Sequence, residues 1–190
     1  MRLLLVGDVM LGRLVNDAQR DRPPSAPWGD TLRLFRNADW SFCNLECVIS
    51  DHVPLRLPDK AFHFRSDRKN LAVLQAAGIK AVSVANNHCL DFGEEAMLDM
   101  LALLEVSNIR HAGAGANLEE AMRPARSMTE DGTRIGLLAC TDNQPDWAAG
   151  ADRPSAVRAG ASQASRRSGL GCKPSTQFAV NARTEPIMIC

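Results

Sequence analysis

Ile79-Lys80-Ala81-Val82-Ser83-Val84-Ala85-Asn86-Asn87-His88-Cys89-Leu90-Asp91 is a short apolar run that stops abruptly on two amides and an imidazole. A run of small and β-branched apolar residues, Ile79–Ala85, predicts a buried strand of the kind found in parallel sheets. Its flanks support that. Upstream, Asp67 is placed to cap a helix over Lys69–Ala77, and Gly78 to end it in the left-handed conformation. Downstream, Glu94–Val106 reads as a helix with two acidic residues in its first turn, where the helix dipole favours them, and Ile109–Ala112 as the next strand.

The same alternation extends in both directions. Leu3–Val6 is a short apolar strand, Trp28, Leu32 and Phe35 fall on one helical face, and Trp40–Ile49 reads as a second strand. Asn117 can cap a helix over Leu118–Met122 that Pro124 stops, and Asp131-Gly132 joins Arg126–Glu130 to Thr133–Cys140 as a hairpin. Strands alternating with helices predict an α/β domain with a mostly parallel sheet covered on both faces.

Ligands of such sheets gather at the carboxyl ends of the strands. Asp8 follows the first strand between Gly7 and Gly12, Asn44 and Glu46 lie in the second, and Asn86-Asn87-His88 follows the third. Asn44 and Glu46 are two apart and so share a face. Glu46 sits among Phe42, Leu45 and Val48, and a carboxylate in apolar surroundings must be paired, protonated or metal-bound. Amide and imidazole side by side at a strand end supply neutral metal ligands and a proton donor. Together these positions predict a metal-type site.

Composition excludes other classes. With 45% hydrophobic and 23% charged residues the chain is globular and soluble in character, and no apolar run approaches the roughly 18 residues that span a bilayer. Gly7-Asp8 breaks the opening apolar run short of a signal peptide, which predicts a cytoplasmic protein. The formal net charge of zero and the lack of a basic patch with interleaved aromatics argue against nucleic acid. Six cysteines without a CxxC pair read as buried, reduced thiols. Gly113-Ala114-Gly115 imitates a dinucleotide-binding turn, but Leu118 stands where the third glycine belongs. Cys89 lacks an orienting partner for a nucleophile, and His52 and His63 read as surface residues.

In order and spacing, Gly7-Asp8-Val9-Met10-Leu11-Gly12-Arg13, Asn44-Leu45-Glu46, Ala85-Asn86-Asn87-His88 with Asp91-Phe92-Gly93, and Gly113-Ala114-Gly115 with Glu120-Ala121 resemble the capsule-synthesis CapA family, part of the calcineurin-like metallophosphoesterase superfamily. The resemblance covers residues 1–150. It implies a metallophosphatase-like four-layer α-β-β-α sandwich, incomplete in this chain, and a role with the capsule or poly-γ-glutamate synthesis machinery. It also implies divalent metal ions (Mn, Fe or Zn), with Asp8 on the first, Glu46 in the bridging carboxylate's place and Asn87 on the second. His88 would stand beside a scissile phosphorus as acid or electrostatic stabiliser, with Asp91 orienting it and Asn44 supporting the ligands.

The superfamily completes its metal pair with histidines from the carboxyl-terminal half, and no histidine follows His111 here. A non-catalytic assembly module of capsule machinery, with a vestigial metal site, is the alternative. Residues 151–190 hold six Lys/Arg against two Asp/Glu, leaving sixteen against twenty in residues 1–150, and show no apolar period. They are expected to be disordered or frameshifted, and without a second sheet an apolar face would be left exposed.

Overall fold

Four short strands, each followed by a helix or a turn, set the architecture. The computed structural model describes residues 1–52, 60–143, 147–156, 176–182 and 185–189. Its elements run β1 (Leu3–Val9), α1 (Arg13–Ala18), α2 (Leu32–Arg36), β2 (Trp40–Leu45), β3 (Val48–Ile49), β4 (Arg65–Ser66), α3 (Leu71–Ala77), β5 (Ala81–Ser83), α4 (Gly93–Val106), β6 (Arg110–Ala112) and β7 (Ala114–Gly115). They continue through α5 (Leu118–Ala121), β8 (Ala125–Met128), β9 (Arg134–Thr141), β10 (Ser155–Ala156), β11 (Thr176–Ala182) and β12 (Glu185–Ile189).

The first sheet has the order β1-β2-β5-β6, and every neighbouring pair is parallel. Parallel neighbours need a crossover, which here passes through α1 and α2, then α3, then α4. Side chains alternate across these strands. Cys43, Leu45, Val82 and Val84 pack with Phe35, Leu74, Met97, Met100 and Leu104 of the helices. Trp40, Phe42, Ala81, Ala85 and Ala112, of opposite parity, pack with Ile135, Leu137 and Ala139 of β9. The covering is therefore asymmetric: helices lie over one face and an antiparallel sheet, ordered β12-β11-β9-β8, over the other. The fold is an α/β sandwich of the metallophosphatase type, and β8, β9, β11 and β12 supply a second sheet.

Several local expectations hold. Gly78 ends α3 at φ 70°, the Asn117 side chain accepts from the Glu120 amide at the start of α5, and β8 and β9 form the antiparallel hairpin around Asp131-Gly132. Others are revised. The strand expected over 40–49 breaks at Glu46. The Glu46 amide donates to the Val9 carbonyl, and Val48 then turns to the Phe64 carbonyl, so Val48–Ile49 pairs with β4 in a separate ribbon. Asp67 precedes a 3-10 turn without capping it, because its carboxylate is taken by Asn16 and Arg65.

The stretch expected to lack structure contains strands. Ser155 and Ala156 are buried and pair with β7, and β11 pairs with β9 through backbone bonds that need no apolar period. Residues 157–175, 183–184 and 190, which carry most of the Arg/Ser/Ala/Gly run, lie outside the described residues.

Candidate functional site

The site is assembled where β1, β2 and β5 end. A register shift between Leu5 and Asp8 sets Asp8 opposite Asn44. The Asn44 amide donates to Asp8 Oδ1 at 2.8 Å, fixing the carboxylate while its residue stays exposed. The Asn86 amide in turn donates to Asn44 Oδ1 at 3.2 Å and to the Leu45 carbonyl at 2.9 Å, and Asn86 Oδ1 accepts from the His88 backbone N–H at 2.9 Å. An amide chain thus ties three strand ends together. From sequence Asn86 was read only as part of the Asn86-Asn87-His88 cluster, with no role of its own. The usable signal was its place, the first polar residue after a fully buried strand, where a buried amide must find partners.

His88 is buried, and its ring stacks on Phe64 with centroids 3.9 Å apart. Its Nδ1 lies 2.6 Å from Asp91 Oδ2, as expected of an orienting carboxylate, and its Nε2 lies 3.9 Å from Glu46 Oε1. Asp91 is wholly buried and also accepts from the Phe64 amide at 2.7 Å and from Lys60. Lys60 was missed, since a single lysine in a polar stretch carries no periodic or motif signal. Its ammonium also reaches the Asn87 carbonyl and lies 4.9 Å from the Trp147 ring centroid.

Glu46 keeps a quarter of its side chain exposed. Burial pushes its carboxyl above the ordinary value and the neighbouring Asp8 charge adds to this, while His88 and Lys60 pull the other way. Asn87 is half-buried beside these groups. At the rim, Arg13 adopts φ 53°, rare for a non-glycine residue, and its guanidinium lies 5.4 Å from the Phe62 ring centroid.

The donor set suits a divalent cation in kind: two carboxylates that repel each other, with amides alongside. In number it falls short. Among the described residues no group of three or more His, Cys, Asp or Glu side chains is gathered closely enough to hold a metal ion. Asp8, Glu46 and Asn87 by themselves would supply only part of a coordination shell.

The other candidates take structural roles. Gly113, at φ 100°, is so tightly enclosed that a Cβ would stand 2.5 Å from the Ala85 Cβ just after β5 and 3.0 Å from the Ala139 Cβ of β9, and Gly115 packs on Glu120 and Ala121. Close packing accounts for these glycines. Cys89 is buried and its thiol is pushed up to about 12, first by burial, which leaves no thiolate to act as a nucleophile. His52 is exposed and pairs with Glu95 at 2.6 Å.

Comparison with known proteins identifies the family. The PGA biosynthesis protein CapA of Bacillus subtilis is 27% identical over 137 residues, which cover 72% of this chain and 36% of that protein. A probable polyglutamine synthesis accessory protein of Mycobacterium tuberculosis is 33% identical over 134 residues, 67% of this chain and 35% of that one. The capsule biosynthesis protein CapA of Bacillus anthracis is 23% identical over 144 residues, 75% and 35% respectively. The chain thus spans about a third of the length of the curated relatives it matches. The family model described as bacterial capsule synthesis protein PGA_cap matches residues 2–182, and the chain belongs to that family.

Proposed function

We propose that this chain acts in capsule or poly-γ-glutamate biosynthesis through a metal-dependent, phosphoesterase-type centre to which it contributes Asp8, Glu46, Asn87 and His88. The observation that carries the reading is the pairing of Asp8 with Glu46. Burial and the Asp8 charge raise the cost of charging Glu46 at these strand ends, and a cation is the ordinary remedy.

A divalent ion held by Asp8, Glu46 and Asn87 would supply Lewis-acid polarisation of a phosphoryl oxygen. The chain's own residues would do the rest. Asn44 holds Asp8 by hydrogen bond, the Asp91 carboxylate keeps the His88 ring in plane, and Nε2 of His88 faces the side on which Glu46 lies. The names of the relatives from Bacillus and Mycobacterium support the biosynthetic context.

The shortage of ligands favours a second reading, a non-catalytic assembly module for capsule machinery. Metal analysis separates the two. Near-stoichiometric Mn, Fe or Zn that is lost in Glu46→Ala supports the first, whereas metal-free protein with an unchanged partner interaction supports the second.

A further inference from the structure

The structure assigns Lys60 as a positioning residue that fixes which ring nitrogen of His88 carries the proton. The argument is an accounting of donors. A carboxylate only accepts, so the 2.6 Å separation of His88 Nδ1 from Asp91 Oδ2 is favourable only with a proton on Nδ1. Lys60 approaches the same nitrogen at 3.2 Å, and an ammonium could instead donate to it, which would place the ring proton on Nε2.

The remaining partners decide between these. An ammonium has three N–H donors. Two are taken by the Asn87 carbonyl and Asp91 Oδ1, and the third side of the group faces the Trp147 ring. Asp91, wholly buried, then receives three donors: Lys60 on Oδ1, and the Phe64 amide and His88 Nδ1–H on Oδ2. The lysine thus pins the carboxylate so that Oδ2 points at the imidazole. Nε2 is left bare and faces Glu46 across 3.9 Å.

Without Lys60, Oδ1 of Asp91 and the Asn87 carbonyl each lose a donor. The carboxylate is then held only through Oδ2, by the Phe64 amide, and either ring nitrogen can be the one that is protonated. The tautomer itself does not depend on a bound metal. Its value to chemistry rests on the reading proposed above, in which Nε2 is the nitrogen presented to the reacting group.

The test is nitrogen NMR of the imidazoles in the 15N-labelled, chelator-treated full chain, with the pH raised until the nitrogen shifts themselves report a neutral ring. The His88 signals are assigned by their loss in His88→Gln. The wild-type protein is expected to show a protonated Nδ1 and a bare Nε2. In Lys60→Met the two nitrogens should move toward a common exchange-averaged position, and Lys60→Arg, which can serve both acceptors, should restore the wild-type pattern. A wild-type spectrum with the proton on Nε2 overturns the proposal, whatever becomes of the variants. So does a folded Lys60→Met that keeps the wild-type pattern. Because the protein is metal-free throughout, failure here is distinguishable from failure of the metal reading, which the Glu46→Ala metal content decides.

Discussion

His88 Nδ1 and Asp91 Oδ2 lie 2.6 Å apart, three residues apart in sequence, with the carboxylate wholly buried and bound to Lys60 on its other oxygen. Breaking a buried pair by removing one charge leaves the other uncompensated, at a cost of about 3–5 kcal/mol. Asp91→Asn is expected to lower unfolding stability by that order in urea titrations. A loss below about 1 kcal/mol would mean that water reaches Lys60 and screens it.

Replacing His88 itself tests a different role. Its ring meets Asp91, Phe64, Glu46 and Lys60. On the proposed reading His88→Ala leaves bound metal nearly unchanged while lowering any phosphodiesterase activity. A large loss of metal would make the imidazole a ligand.

Glu46 provides a pH dependence whose sign can be worked out. Its folded-state carboxyl lies above the ordinary 4.5, through burial first and Asp8 second. Below that value both folded and unfolded chains hold the proton and Glu46 costs nothing. As pH rises the unfolded chain releases it first, so stability falls through the window between the ordinary and the raised value. In chelator-treated protein, Glu46→Gln should therefore melt higher than wild type at neutral pH, with the difference vanishing near pH 3.5. Equal melting temperatures at both pH values would refute the shift.

Much of this was legible from residues alone. The helix caps at Gly78 and Asn117, the Asp131-Gly132 hairpin and the strand-end positions of Asp8 and His88 each follow from local chemistry that tertiary structure had no reason to override. The break at Glu46 was not legible, because Val48–Ile49 is as apolar as the strand before it and the partner that captures it, Phe64, is remote in sequence. The roles of Lys60 and Asn86 were missed for a related reason: they exist only once three strand ends meet. Nor could alternation reveal that one face of the sheet meets helices and the other a sheet, since both coverings demand apolar side chains.

Gly113 offers a test of the packing between the sheets. Alanine there meets a positive φ of 100°, Ala85 at 2.5 Å and Ala139 at 3.0 Å. Strain and overpacking together predict a destabilisation of about 2–4 kcal/mol, measurable as a fall in the denaturation midpoint. An unchanged midpoint would show that the sheets can separate locally.

The cysteines make an inexpensive check on the core. Cys43, Cys47 and Cys89 are fully buried, and burial pushes the Cys47 and Cys89 thiols up to about 12. In native protein, mass-spectrometric mapping should find these three unalkylated and Cys140 modified ahead of them, with all four reacting in denaturant. Rapid native labelling of Cys47 would indicate that β2 opens readily.

The first sheet carries its strands in the order in which the chain presents them, β1, β2, β5 and β6. A growing polypeptide can therefore assemble the Asp8–Asn44–Asn86–His88 cluster as soon as Ala112 has emerged from the ribosome, before any part of the second sheet has emerged. The face formed by Trp40, Phe42, Ala81, Ala85 and Ala112 has no cover until β9 follows. At about 5–20 residues per second that interval lasts about 1.5–6 s. The nascent chain thus passes through a stage with an organised cluster and a bare greasy flank, which is the stage at which chaperones would engage it.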